Sequence, residues 1–235
     1  MLESIIEFKK EELIGVKKHI EEVRPVIIEF TGTPDSGKTT TINHMKEVFD
    51  DIDFPCTVIE EPASYCPIEK MDNNDRLIFN TWTFGESMNK LNEAAQKESG
   101  IILCDRGIYD NFVWFEIFKE EGIITSLEHG VWKNLLNCRP LNESVNYLYN
   151  FITSPDVSLG RKRTQLADEK VDKYIKFLSR YNEAAAGLGK LNKNSRLIDT
   201  DGLNVNKLKE KVEMKLITDI GDYYKNSLES RGIAL

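Results

Sequence analysis

The sequence lacks the residue patterns that would make it a disulfide scaffold, a zinc protein or a membrane protein. Its four cysteines, Cys56, Cys66, Cys104 and Cys138, are scattered with no Cys-x-x-Cys pair, and its three histidines, His19, His44 and His129, stand alone. No zinc-type cluster forms in sequence, and thiols spaced this way in a mixed chain point to a reducing compartment, hence to the cytoplasm. No apolar run approaches the ~20 residues of a membrane helix. The opening Met1-Leu2-Glu3-Ser4 lacks the basic-then-apolar order of a signal peptide. Positive charge is not in surplus either: 31 Lys and Arg face 39 Asp and Glu, a formal net charge of −8. Broad binding to nucleic acid or to an anionic membrane needs a net basic face. Neither is expected as a partner, although one small basic pocket stays open.

What is present suits a soluble globule. A chain of 235 residues that is 40% hydrophobic and 30% charged can bury a core, which excludes disorder. Residues 1–24 read as a helical extension, with Leu13, Val16, Ile20 and Val23 on one stripe that Leu2 and Ile6 prolong and Lys9 interrupts. So short a stripe favours a helix packed on the domain body over a dimerising coil; a homodimer is left open. Arg24-Pro25 ends it, because the residue before proline is pushed out of helical geometry. From residue 25 to 235 short apolar runs alternate with helical stretches. Strands are expected at 26–30, 57–59, 101–104, 147–152 and, more weakly, 196–198. Helical composition covers about 39–50, 72–98, 108–138, 166–190 and 204–228. Such alternation predicts right-handed β-α-β units and a mostly parallel sheet covered on both faces.

The run Gly32-Thr33-Pro34-Asp35-Ser36-Gly37-Lys38-Thr39-Thr40 fits G-x-x-x-x-G-K-[ST] and falls between the first strand and the next helix. Gly32 and Gly37 let successive backbone N–H groups turn inward toward phosphate oxygens. Lys38 reaches the β- and γ-phosphates, and the Thr39 hydroxyl is placed to ligate Mg²⁺. This pattern predicts that the chain binds a nucleoside triphosphate.

Three further pieces follow in order. Ile101-Ile102-Leu103-Cys104-Asp105 puts an acid at a strand's C-terminal edge, where it can complete the metal site, and Arg106 follows to hold an acceptor or transferring phosphate. Glu60-Glu61-Pro62 ends the second strand at the same edge, where a carboxylate can take a proton from an attacking hydroxyl. Ser154-Pro155-Asp156 leads to Arg161-Lys162-Arg163, cations that can close over a triphosphate as a lid at about 154–168.

These pieces resemble the nucleotide-kinase branch of the P-loop fold, and more narrowly the thymidylate kinase and deoxynucleoside kinase families, over roughly residues 26–215. Ile198-Asp199-Thr200-Asp201-Gly202 after the last strand adds to the likeness. The resemblance implies a three-layer fold with five parallel strands, helices on both faces and an arginine-bearing lid. It implies ATP as donor, Mg²⁺ as cofactor, and a small nucleoside or nucleoside monophosphate as acceptor. Lys38, Arg161 and Arg163 would stabilise transfer, Thr39 and Asp105 would organise Mg²⁺, Glu61 falls at the catalytic base, and Arg106 counts among the catalytic and substrate-binding residues. Phe79-Asn80-Thr81-Trp82 resembles the stretch that lines the nucleobase pocket: Asn80 would pair with the base edge, and Trp82 or Tyr65 would pack against it. A plainer reading puts Phe79, Trp82 and Phe84 in the core. The chain departs from the thymidylate kinase pattern in reading Glu-Glu-Pro for Arg-Glu-Pro, and no arginine follows Phe79 within 83–86.

Charge separates the acceptors. A monophosphate needs cations and no base, whereas a hydroxyl benefits from a carboxylate aimed at its proton. Around the expected acceptor pocket the chain offers Glu60 and Glu61 but few cations besides Arg106, with Arg76 the one spare, so the balance leans to a hydroxyl. Two alternatives stay open: a kinase of another hydroxyl, such as an antibiotic, a sugar or a modified base in DNA, and a regulatory P-loop ATPase acting through a partner.

Overall fold

A computed structural model describes residues 2–69, 72–97, 99–162 and 168–233. Five strands, β1 (Val26–Gly32), β2 (Cys56–Ile59), β3 (Ile101–Asp105), β4 (Tyr147–Ile152) and β5 (Ser195–Asp199), form one sheet in the order β2-β3-β1-β4-β5. Every pairing is parallel. All five stand where the apolar runs predict them. β1 is buried along its whole length, as a central strand covered on both faces must be.

Strand alternation divides the core in two. Val26, Ile28 and Phe30 join one cluster with Met45 and Phe49 of α2 (Lys38–Asp51) and Leu216 and Ile220 of α9 (Val205–Glu229). Ile27 points the other way, into a cluster with Phe84 of α3 (Asn73–Lys97), Phe112 and Phe115 of α4 (Ile108–Glu120), and Tyr181 of α8 (Asp168–Ala186). Glu29 and Thr31 share the Ile27 parity and face α4 and α8. Two polar side chains are thus carried into the second layer.

The extension at 1–24 forms α1 (Leu2–Val16) and a 3₁₀ turn over Lys17–Glu22, packed along α9. Ile6, Leu13, Val16, Ile20 and Val23 enter the same cluster as β1. Lys10 pairs with Glu213 of α9 at 3.0 Å, and Glu213 meets His44 of α2 at 2.8 Å.

The stretch 108–138, expected from its composition to be helical, is divided. α4 stops at Glu120, Gly122 turns the chain at φ +71°, and α5 (Ser126–Asn137) restarts on a capping box made by Thr125 and Glu128. A short α6 (Arg139–Asn142) follows. After β4, α7 (Pro155–Arg161) fills the start of the expected lid; Arg163 and the rest of 163–167 lie outside the described residues.

Candidate active site

Two adjoining depressions open at the C-terminal edge of the sheet, where open α/β folds bind ligands. The first is a groove of about 600 Å³ over Asp35–Thr40, bounded by Arg161 and by Leu203, Asn204 and Val205 after β5. Its loop is possible only with glycine at its start. Gly32 has φ +135°, and a Cβ there would fall 1.9 Å from the Phe151 carbonyl oxygen. Gly37, at φ +95°, precedes the first residue of α2.

Lys38 is buried, and its ammonium donates to the carbonyls of Gly32 and Thr33, both at 2.8 Å. Burial first, and then the charge of Arg106, pull its pKa down to about 7. The carboxylates of Asp110, Asp105 and Glu61 offset this only in part. Thr39 Oγ1 donates to Asp105 Oδ2 at 2.6 Å, while Asp105 Oδ1 and Ser36 Oγ are buried and find no hydrogen-bond partner among the described residues. Buried orphan oxygens call for an occupant. A hydroxyl beside a carboxylate with one free oxygen is the hard donor set that Mg²⁺ takes next to phosphates.

The second depression, of about 380 Å³, lies on the other side of β1. Glu61, Arg106 and Asp110 form its charged end. Phe79, Trp114 and Phe118 form its aromatic walls, Asn80, Thr83 and Asn111 a neutral polar wall, and Asp72, Asn73 and Arg76 its rim. Arg106 Nε stands 3.0 Å from Glu61 Oε1, and Arg106 Nη1 2.6 Å from Asp110 Oδ1. Asp110 also accepts from the Thr31 and Tyr181 hydroxyls, and with Arg106 these hold its carboxyl below the usual range despite burial. Burial raises the Glu61 pKa, with Arg106 opposing. The rim cation Arg76 is paired with Glu121 at 2.9 Å and lies over the Phe118 ring at 5.2 Å. Trp114 stacks on Phe177 with ring centroids 5.3 Å apart.

The structure brings together most, but not all, of the residues picked from sequence. Gly32 to Thr40 and Asp105 gather at the groove, and Glu61, Asn80 and Arg106 at the cavity. Asn80 is already engaged: its Nδ2 donates to the Asn111 carbonyl at 3.1 Å. Tyr65 and Trp82 do not reach the cavity; they meet edge-on at 5.9 Å, and Tyr65 lines a separate groove with Glu60 and Lys90. The reason is helical phase. At ~100° per residue, Arg76, Phe79, Asn80 and Thr83 share one arc of α3, and Trp82 falls on its flank. Phe84 belongs to the core, against Phe115 and Trp132. Arg161 is turned from Lys38, donating to Thr200 Oγ1 at 3.0 Å and to the Thr200 carbonyl at 2.8 Å. It borders the same groove as Lys38 and Thr39, with its guanidinium held by the segment after β5.

Sequence reasoning missed the share of α4: Asp110, Asn111, Trp114 and Phe118. The sequence carried only a weak signal: Asp110 stands four residues after Arg106, close enough for an ion pair across the start of α4.

A cradle after β1, an acid after β3 and the strand order 2-3-1-4-5 define a P-loop nucleotide-binding fold of the α/β class. Residues 27–193 match the AAA domain family, and the chain belongs to that family. No curated protein is detectably similar to it in sequence. Among solved structures, deoxyadenosine kinase from M. mycoides with the products dCMP and dCDP is 15% identical, with a TM-score of 0.62 over 82% of this chain and 100% of that one. The same enzyme with dATP is 16% identical, with a TM-score of 0.60 over 81% and 98%. Thymidylate kinase from Candida albicans is 15% identical, with a TM-score of 0.60 over 84% and 93%. At this identity the likeness is one of fold.

Proposed function

We propose that the chain is an ATP-dependent phosphotransferase that moves the γ-phosphate to a hydroxyl of a nucleoside-sized acceptor. One observation carries the choice of acceptor: among the described residues, both cations lining the cavity are already paired, Arg106 with Glu61 and Asp110, and Arg76 with Glu121. A monophosphate would have to displace a carboxylate from a guanidinium to be held. A neutral hydroxyl needs no such exchange. The aromatic walls and neutral amide wall suit a flat heteroaromatic group with polar edges. The shared fold with deoxyadenosine and thymidylate kinases supports the same reading.

In this mechanism the P-loop N–H groups and Lys38 hold the triphosphate and neutralise charge that grows on the β-γ bridge. Thr39 and Asp105 would hold Mg²⁺, which would neutralise phosphate charge. Glu61 accepts the proton of the acceptor hydroxyl as its oxygen bonds to the γ-phosphorus, the bond to the β-phosphate oxygen breaks, and ADP leaves. Burial raises the Glu61 pKa, which makes its carboxylate a stronger base than an exposed one. Arg106, fixed by Asp110, keeps Glu61 facing the cavity. Arg161 holds the donor through the loop after β5, and Arg163 is left as the cation for the transferring phosphate.

A panel of nucleosides and nucleoside monophosphates, scored for ADP release from Mg-ATP, tests the proposal. Turnover with a nucleoside supports it; turnover with monophosphates alone replaces the acceptor class, and ATP hydrolysis indifferent to every acceptor favours a regulatory ATPase.

A further inference from the structure

Glu29, on the strand that carries the phosphate cradle, is completely buried and takes no part in the chemistry above. Its partners are backbone groups of α4. That helix opens at Gly107, which has no side chain with which to cap it. The N–H groups of Tyr109 and Asp110, which an N-cap side chain ordinarily accepts, donate instead to Glu29 Oε1 at 3.0 and 2.9 Å. A Cβ on residue 107 would lie 2.6 Å from Glu29 Oε2. The Gly107 backbone is extended, so it is space and not backbone angle that excludes a side chain there. The same strand pins the start of the turn, where the Arg106 N–H donates to the Phe30 carbonyl at 2.9 Å. Between these anchors Arg106 sits at φ +63°, a region that few residues other than glycine adopt and that persists only where the surroundings impose it.

We propose that Glu29 is a positioning residue for the acceptor site, a helix cap supplied by the neighbouring strand that holds Arg106 and Asp110 where they orient Glu61. The contacts run without a gap. Glu29 holds the Asp110 backbone, the Asp110 carboxylate holds Arg106, and Arg106 meets Glu61. Thr31, two residues along the same strand face, donates to Asp110 Oδ1 at 2.7 Å and steadies the middle link. Without Glu29 two N–H groups would be buried without an acceptor, and the turn would relax to recover them. Burial pushes the Glu29 pKa up to about 8, so at neutral pH Oε1 serves as the carbonyl of an uncharged acid, and an amide oxygen can replace it.

The catalytic readout rests on the phosphotransferase reading, so the test pairs it with amide exchange, which does not. Glu29→Gln should keep kcat near wild type. Glu29→Ala should lower kcat on the order of 10²-fold with little change in KM for ATP, as for a small misplacement of reacting groups. The Tyr109 and Asp110 amides should exchange faster while those of Ile28 and Leu103 stay protected. Gly107→Ala, with Glu29 intact, should displace the carboxylate and give the same pattern, and adding it to Glu29→Ala should cost nothing further. If Glu29→Ala does not fold, Gly107→Ala decides. Unchanged exchange at Tyr109 and Asp110 in Gly107→Ala, or a Glu29→Gln as damaged as Glu29→Ala, overturns the proposal. Absence of acceptor-dependent turnover in the wild type removes the phosphotransferase reading, and the exchange data still decide the cap.

Discussion

Arg106 Nε stands 3.0 Å from Glu61 Oε1, in a cavity where the second carboxylate, Asp110, holds the same guanidinium from the other side. The two acids are not equivalent. Asp110 is held below its ordinary pKa by Arg106 and by the Thr31 and Tyr181 hydroxyls, whereas Glu61 is raised by burial. One carboxylate is thereby fixed as a structural anion and the other left able to take a proton, the division of labour that separates a positioning group from a base.

Glu61→Gln keeps size and hydrogen bonding but removes the base, and should lower kcat by ~10²–10⁴-fold. Glu60→Gln is the control, because exposed Glu60 lines the separate groove with Tyr65 and Lys90. Steady-state kinetics on the pair should show loss in the first and near wild-type turnover in the second. A Glu61→Gln variant with undiminished kcat would remove the proton-transfer step.

Lys38→Ala should abolish transfer and leave the fold intact. The ammonium binds two loop carbonyls, but the loop path is set by Gly32 and its close approach to Phe151. ADP release and a thermal melt on the same sample check both halves.

Arg161→Ala should raise KM for ATP about tenfold with kcat little changed, the worth of one charge-assisted hydrogen bond. Its guanidinium borders the donor groove through Thr200 and stays off the cradle. Loss of kcat alone would instead place it at the transferring phosphate when the site closes.

Glu29 should make stability fall as pH rises. Its folded pKa of about 8, raised by burial with the Asp110 charge adding and the N–H groups of α4 opposing, lies above the ordinary 4.5. Between those values the folded chain holds a proton that the unfolded chain has lost. The contribution is therefore complete below pH ~4.5 and lost as pH climbs through ~8. Glu29→Gln cannot ionise, so its denaturation midpoint should decline less over that window than the wild type's, measured by urea unfolding at a series of pH values.

The local patterns of the sequence were enough to place the five strands and the phosphate cradle. A buried parallel strand needs a continuous apolar run, and a phosphate loop needs glycines and a lysine at fixed spacing. Gly122 and Thr125-x-x-Glu128 were equally local signals for the break between α4 and α5, hidden within a long run of helical composition. The aromatic-walled cavity beside Glu61 and Arg106 is another matter. Phe79 and Trp82 are three residues apart on one helix, yet only Phe79 reaches the cavity, because α3 is rotated by its packing on α4. Trp114, Phe118 and Asn111 enter it from α4, whose place beside β1 is a matter of long-range packing. Glu29 reads in sequence as one polar residue in an apolar strand. Only the docking of α4 against that strand, which sets its first-turn N–H groups beside the carboxyl, decides what the residue does.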